Sequence, residues 1–187
     1  RWEAVPWLER RQFEQPQWRG DALQGRTVLI HTEQGYGDTL QFVRYLPKIH
    51  EMGGRVKLAC QPALKRLLLD LPGLEGVTGY GEPPGPFDFH LPIMSLPEVL
   101  GLRFEEIELC NAPYLVASAD HTDLVPLDGL PRVGLVWRGS TINLKGMFRS
   151  CRLSDFEGVL KRRDLQFYSL QVDITEQERD ELQSYGG

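Results

Sequence analysis

The chain has 187 residues and a formal net charge of −5, and its 41% hydrophobic and 25% charged content is that of a globular sequence, not a disordered or fibrous one. The acidic balance argues against a nucleic-acid surface, and the tightest basic run, Lys161-Arg-Arg163, reads as a solvated helix end. No apolar run approaches the roughly 18 residues of a membrane span, and Cys60, Cys110 and Cys151 fit neither a metal knuckle nor a disulfide framework, so a cytoplasmic protein with reduced cysteines in or near its core is expected.

Residues 1–24 mix Trp2, Trp7, Phe13 and Trp18 with charges, and Pro6 and Pro16 interrupt them. The pattern is neither helical nor alternating, so it reads as an irregular arm whose aromatics pack onto the following domain. The start at Arg1, without a Met, suggests an excised piece. A strand-helix rhythm then fills residues 25–116. Thr27–His31 reads as a buried strand. Leu40, Val43, Leu46 and Ile49, three apart, predict a helix over Thr39–Ile49 that Pro47 kinks or ends early. Gly53-Gly54 reads as a turn, Arg55–Cys60 as a strand, and Pro62 as the first residue of a helix to about Leu71. Gly76–Tyr80 reads as a third strand, Gly81–Pro86 as a loop, Phe87–Leu91 as a fourth strand and Ser95–Leu100 as a short helix. Glu105, Glu106 and Glu108 read as a solvated edge. This alternation implies an α/β fold, a Rossmann-like lobe with a parallel sheet covered on both faces.

Residues 117–131 are polar and carry Pro126 and Pro131, which makes them the candidate linker. The rhythm then restarts over 132–187. Arg132–Trp137 and Gln166–Gln171 read as strands, and Ser154–Arg163 and Thr175–Tyr185 as helices. Thr175 and Glu178 stand as a capping box. Two strands and two helices are too few for a complete parallel domain, so this reads as the incomplete start of a second Rossmann-like lobe. No internal repeat is evident.

The segment Glu33-Gln-Gly-Tyr-Gly-Asp38 falls where the first strand hands over to a helix. Gly35 and Gly37 allow a sharp turn and close approach to a ligand. Free N–H groups at a helix start attract anions. Yet the three-glycine dinucleotide fingerprint and the Walker loop are both absent. Two readings of Asp38 stay open. It is the helix N-cap, with Gln41 as its return partner, or it is a general base aimed into a cleft. A second loop, Trp137-Arg-Gly-Ser140 with Lys145 and Phe148-Arg-Ser150, suits a phosphate, though a plain polar loop accounts for it too. Both loops follow the C-terminal ends of strands, the edge where ligands bind in open α/β sheets. Two units facing each other would let both loops line one cleft. His31, His50, His90 and His121 lack metal spacing, so no metal is implied. Asp88 and His90, two apart on a strand, are expected to share a face and form a structural pair.

These residues carry a family resemblance. Glu33-Gln-Gly-Tyr-Gly-Asp-Thr-Leu-Gln-Phe-Val-Arg-Tyr45 resembles the hallmark of bacterial TPR-linked glycosyltransferase-like proteins. Those are similar to glycosyltransferase family 9, the heptosyltransferase group with the two-lobed GT-B fold. Gln15-Pro-Gln-Trp-Arg-Gly20, Phe87–Pro97, Pro113-Tyr-Leu115, Val133–Trp137 and Arg149-Ser150 resemble further family segments in the same order. The resemblance implies transfer of a sugar from a nucleotide-sugar donor, a substrate and not a cofactor, to a protein or glycan acceptor. It implies that Asp38 is the catalytic base and that Arg149 lies near the donor phosphates. Gly35, Tyr36, Gly37 and Gln41 would join Trp137, Gly139, Ser140, Lys145, Arg149 and Ser150 in binding substrate. It also implies an upstream TPR array in the parent protein. The loop Thr141–Phe148 lacks the His and Asp expected before Arg149-Ser150. That departure favours the alternative, a binding or scaffold module that keeps the fold without the chemistry.

Overall fold

The structure is a computed structural model. It describes residues 11–33, 35–108, 113–116, 129–139 and 149–185. The chain divides into two compact units, Arg1–Asp120 and His121–Gly187. Most of the segment 117–131 lies outside the described residues.

The first unit is mixed α/β and built on a wholly parallel sheet. Strands β1 (Thr27–His31), β2 (Arg55–Cys60), β3 (Leu74–Gly79) and β4 (Phe89–Pro92) lie in the order β3-β2-β1-β4. This is a Rossmann-like arrangement. Ile30 of β1 stands opposite Leu58 of β2 on one side and Leu91 of β4 on the other. Strand alternation sends Val28, Ile30, Val56, Leu58 and Leu91 to one face. Helices α1 (Tyr36–Phe42), α2 (Leu46–Glu51), α3 (Lys65–Leu68) and α4 (Leu96–Val99) close that face, burying Leu46, Ile49, Leu68 and Leu96 in the same core. Each such fully buried side chain contributes roughly 1.5–3 kcal/mol.

The opposite face is closed differently. The connection from β3 to β4 is a Pro/Gly loop in place of a helix. Lys57, on that face of β2, holds the loop by donating from Nζ to the Pro84 and Pro86 carbonyls at 3.1 and 2.9 Å. The arm supplies the rest. Phe13 packs against Phe87, His31 and His90, with ring centroids 5.7, 5.1 and 4.6 Å away. Beside β4 the arm forms one parallel bridge, Gln17 to His90. There the Trp18 N–H donates to the His90 carbonyl at 2.9 Å and the His90 N–H to the Pro16 carbonyl at 3.2 Å. Trp18 is buried in the helical-face core. Trp2 and Trp7 lie outside the described residues. The cover expected on both faces is therefore helical on one and irregular on the other.

Several boundaries differ from the sequence reading. The first helix starts at Tyr36, not Thr39, and breaks into a 3₁₀ turn at Val43–Tyr45. Pro47 then occupies the first turn of α2, where its missing N–H has no intrahelical partner to lose. β3 begins at Leu74 because the register shifts between Val56 and Lys57, the mark of a bulge. Glu105 and Glu106 lie in a helix, α5 (Phe104–Glu108), and not on an irregular edge. The Glu106 carboxylate accepts the Arg103 N–H at 2.8 Å, which helps fix that helix start.

The second unit holds a two-stranded parallel sheet, β5 (Arg132–Leu135) and β6 (Gln166–Ser169), with α6 (Glu157–Leu160) and α7 (Glu176–Ser184). Trp137, Leu153 and Leu160 are its buried centre, with Phe156, Phe167 and Leu182 packed around them. Cys60 is buried, whereas Cys151 is exposed and so departs from the expected core position; Cys110 lies outside the described residues. Among the described residues no helix is long and apolar enough to cross a membrane.

Candidate functional site

The C-terminal edge of the first sheet brings together the segment that follows β1. Gly35 is the N-cap of α1, with extended backbone angles (φ −69°, ψ 165°), so Asp38 is the third helical residue and not the cap. Glycine has no side chain to offer the helix, and the bond runs only the other way. The Gly35 N–H donates to Asp38 Oδ2 at 3.2 Å. Gln41 is exposed and takes no part in this cap. The expected Asp38/Gln41 pair is thus replaced by Gly35/Asp38, three residues earlier. Gly35, Tyr36 and Gly37 are exposed, with Tyr36 at 56%.

Beneath this turn lies a polar network that the sequence reading missed. Thr32, Gln61 and Tyr80 each directly follow the last residue of β1, β2 and β3. Gln61 Oε1 accepts from Thr39 Oγ1 at 2.9 Å and from Thr32 Oγ1 at 3.3 Å. With Thr32 donating there, the Tyr80 hydroxyl donates to Thr32 Oγ1 at 2.5 Å. Arg11 lies over the Tyr80 ring, 4.1 Å from its centroid. Thr32, Thr39 and Gln61 are all buried, so these bonds fix the floor under α1. No local pattern marks them: Gln61 falls level with Tyr80 and one residue beyond Thr32, and only the pairing of the three strands brings them together.

The expected Asp88–His90 pair does not form. Asp88 Oδ2 instead accepts the Thr27 N–H at 2.7 Å, at the start of β1. His90 Nδ1 meets His31 Nε2 at 3.3 Å, a contact in which one ring donates and the other accepts. Register explains the exchange, since β1 and β4 run side by side. The thiol of Cys60 is pushed up to about 11, first by burial, so it stays protonated near neutral pH and is no nucleophile.

In the second unit, the loop after β5 is tied inward. The Cys151 N–H donates to the Trp137 carbonyl at 2.8 Å, and the Gly139 N–H to Ser150 Oγ at 3.1 Å. Trp137 is buried and its Nε1 donates to Glu178 Oε1 at 2.7 Å. Arg149 is exposed, while Ser140 and Lys145 lie outside the described residues. The dominant cation is one that the sequence reading did not single out. Arg138 grips Glu178 through Nε at 3.3 Å and Nη2 at 3.0 Å, and Asp173 through Nη1 at 2.8 Å. Glu178 also accepts the Thr175 N–H at 2.9 Å, as the predicted capping box requires. Arg138 first, then the Thr175 N–H and Trp137, hold the Glu178 carboxyl down at about 2.

These arrangements differ chemically. The Gly35–Asp38 turn presents an exposed backbone and a carboxylate at a sheet edge. The guanidinium of Arg138 is already matched by two carboxylates. Among the described residues no cluster of His, Cys, Asp and Glu is placed to hold a metal ion. No protein-family model matches the chain, and no curated protein or solved structure matches it either.

Proposed function

We propose that the chain belongs to a glycosyltransferase of GT-B type, which moves a sugar from a nucleotide-sugar donor to a hydroxyl of a protein or glycan acceptor. One observation supports this above the others: the place of Gly35–Asp38 in the sheet order. β1 connects to β2 on one side, while β4 is reached from β3 across the opposite face. The edge between β1 and β4 is therefore a topological switch point, where open α/β sheets bind their ligands. The sequence of the turn, Glu33–Tyr45, adds the resemblance described above.

In the proposed reaction the acceptor oxygen attacks the anomeric carbon, and the bond from that carbon to the diphosphate oxygen breaks. Asp38 takes the acceptor proton. In the second unit Arg149 and Ser150 steady the departing diphosphate, whereas the Arg138 and Gly139 N–H groups, expected to help, are already given to Gln171 and Ser150. Asp38→Asn is the discriminating variant. Asparagine still offers an oxygen to the Gly35 N–H, so the helix start is kept while the base is lost. Loss of a general base lowers transfer by about 10²–10⁴-fold. Transfer by the complete parent protein carrying Asp38→Asn at the wild-type rate, with unchanged melting, would sink the proposal.

A binding or scaffold module is the second reading, and the closure of Arg138 by Glu178 and Asp173 favours it. A cation already neutralised internally has little left for a diphosphate. Calorimetry with a panel of nucleoside diphosphates separates the two, since only the transferase requires such binding.

A further inference from the structure

The first unit carries a second concavity, independent of the transfer reading. A groove of about 560 Å³ runs over the helical layer, between α2, the end of α3 and the segment 113–116. Its walls are apolar at Val43, Leu67, Leu71, Leu115 and Val116. Leu67 and Val116 are 38% and 82% exposed, so apolar surface is left open to water here. The third wall is pinned. The Tyr114 hydroxyl donates to the Leu40 carbonyl at 2.8 Å and accepts from Arg44 Nη2 at 3.0 Å.

The charges in this groove are arranged by the fold. Arg44, Pro47, Lys48 and Glu51 are spaced at three, four and seven, which puts them on one stripe of the 3₁₀ turn and α2. Both α2 and α3 link parallel strands on the same face, so the two helices run in the same direction. Their C-terminal ends therefore lie side by side, and with them Glu51 and Asp70. Arg44 and Lys48 stand toward the other end. Glu51 and Asp70 enter no ion pair among the described residues, and Lys48 enters none within 4 Å, although its charge acts on Glu106. The groove is thus polarised from Arg44 to Glu51 and Asp70, with roughly 10 Å of helix rise between Arg44 and Glu51 and with Lys48 about one turn from Glu51.

We infer that this groove binds a short extended peptide of a partner protein, with an acidic group against Arg44 and Lys48, a basic group against Glu51 and Asp70, and apolar side chains between. Charge complementarity chooses this occupant. Opposite charges about 10 Å apart match an extended chain of roughly three residues at ~3.3 Å each. A fatty or wholly apolar ligand would leave both charged ends unmet.

The test uses blocked tetrapeptides titrated into the isotope-labelled protein and followed by backbone amide NMR. The probes are Asp-Leu-Leu-Lys, Asp-Leu-Leu-Asp and Lys-Leu-Leu-Lys. The mixed-charge peptide should shift amides of residues 43–51, 67–72 and 113–116 and bind roughly tenfold tighter than either like-charged peptide. Lys48→Glu should move the preference to Lys-Leu-Leu-Lys, and Asp70→Lys to Asp-Leu-Leu-Asp. Equal binding of all three probes, shifts outside these segments, no binding, or a chain-chain interface on this groove would each overturn the inference. Nucleoside diphosphate binding and Asp38→Asn activity are separate readouts, so failure here leaves the transfer proposal standing.

Discussion

At the scale of single residues, Glu178 does the most. Its carboxylate caps α7, accepts Trp137 Nε1 and faces Arg138. Its folded value of about 2 lies below its ordinary 4.5, so its stabilising share is complete above about pH 4.5 and is lost as pH falls toward 2. Trp137 is the one tryptophan among residues 121–187, and it belongs to the same network. Trp137 fluorescence should therefore report loss of native packing in the second unit within that window. Glu178→Gln should destabilise the unit at pH 7 by about 2 kcal/mol in denaturant melts, and should flatten the acid step. A wild-type acid profile in Glu178→Gln would exclude Glu178 as its source. Half of this was readable beforehand. Thr175 and Glu178, three apart, advertise a capping box in the sequence. The partners Trp137 and Arg138 are about forty positions away, and no local pattern links them. Gly35 shows the opposite limit. A glycine cap leaves no side-chain signature, so Asp38 drew the attention that belonged three residues earlier.

At the scale of elements, the turn between α2 and β2 shows how little room the first core has. A methyl group on Gly54 would stand 2.2 Å from Leu23 Cδ1 and 3.1 Å from the Ile49 carbonyl oxygen. Leu23 and Ile49 are fully buried and cannot step aside freely. Gly54→Ala should therefore cost about 1–3 kcal/mol of unfolding free energy, read from urea melts. Gly53 next to it has φ +76° and open space, so its demand is conformational rather than steric. The sequence located this turn and the strands on either side of it, because Gly-Gly and apolar alternation are local signals. It placed helix starts and β3 less well. A 3₁₀ turn at Val43–Tyr45 and a bulge beside Val56 shift the phase of a periodic count. α5 was missed because its short acidic stretch carries no apolar stripe to count.

At the scale of the molecule, the alternation of strands and helices foretold the parallel sheet but not how its far face is closed. Backbone bridging, as between Gln17 and His90, depends on no particular side chain and leaves no mark in the sequence. The arm is nonetheless part of the first core. Trp18 is 1% exposed, and Trp18→Ala should cost about 3–5 kcal/mol in chemical denaturation. A loss below 1 kcal/mol would show the arm to be an ornament. The same bridge has a consequence for synthesis on the ribosome. The Trp18 N–H needs the His90 carbonyl, which is made roughly seventy residues later. At about 5–20 residues per second, that is a wait of roughly 4–15 s. During it a tryptophan destined for the core has no β4 to dock beside. The nascent chain must carry that apolar surface openly until the last strand of its first sheet emerges.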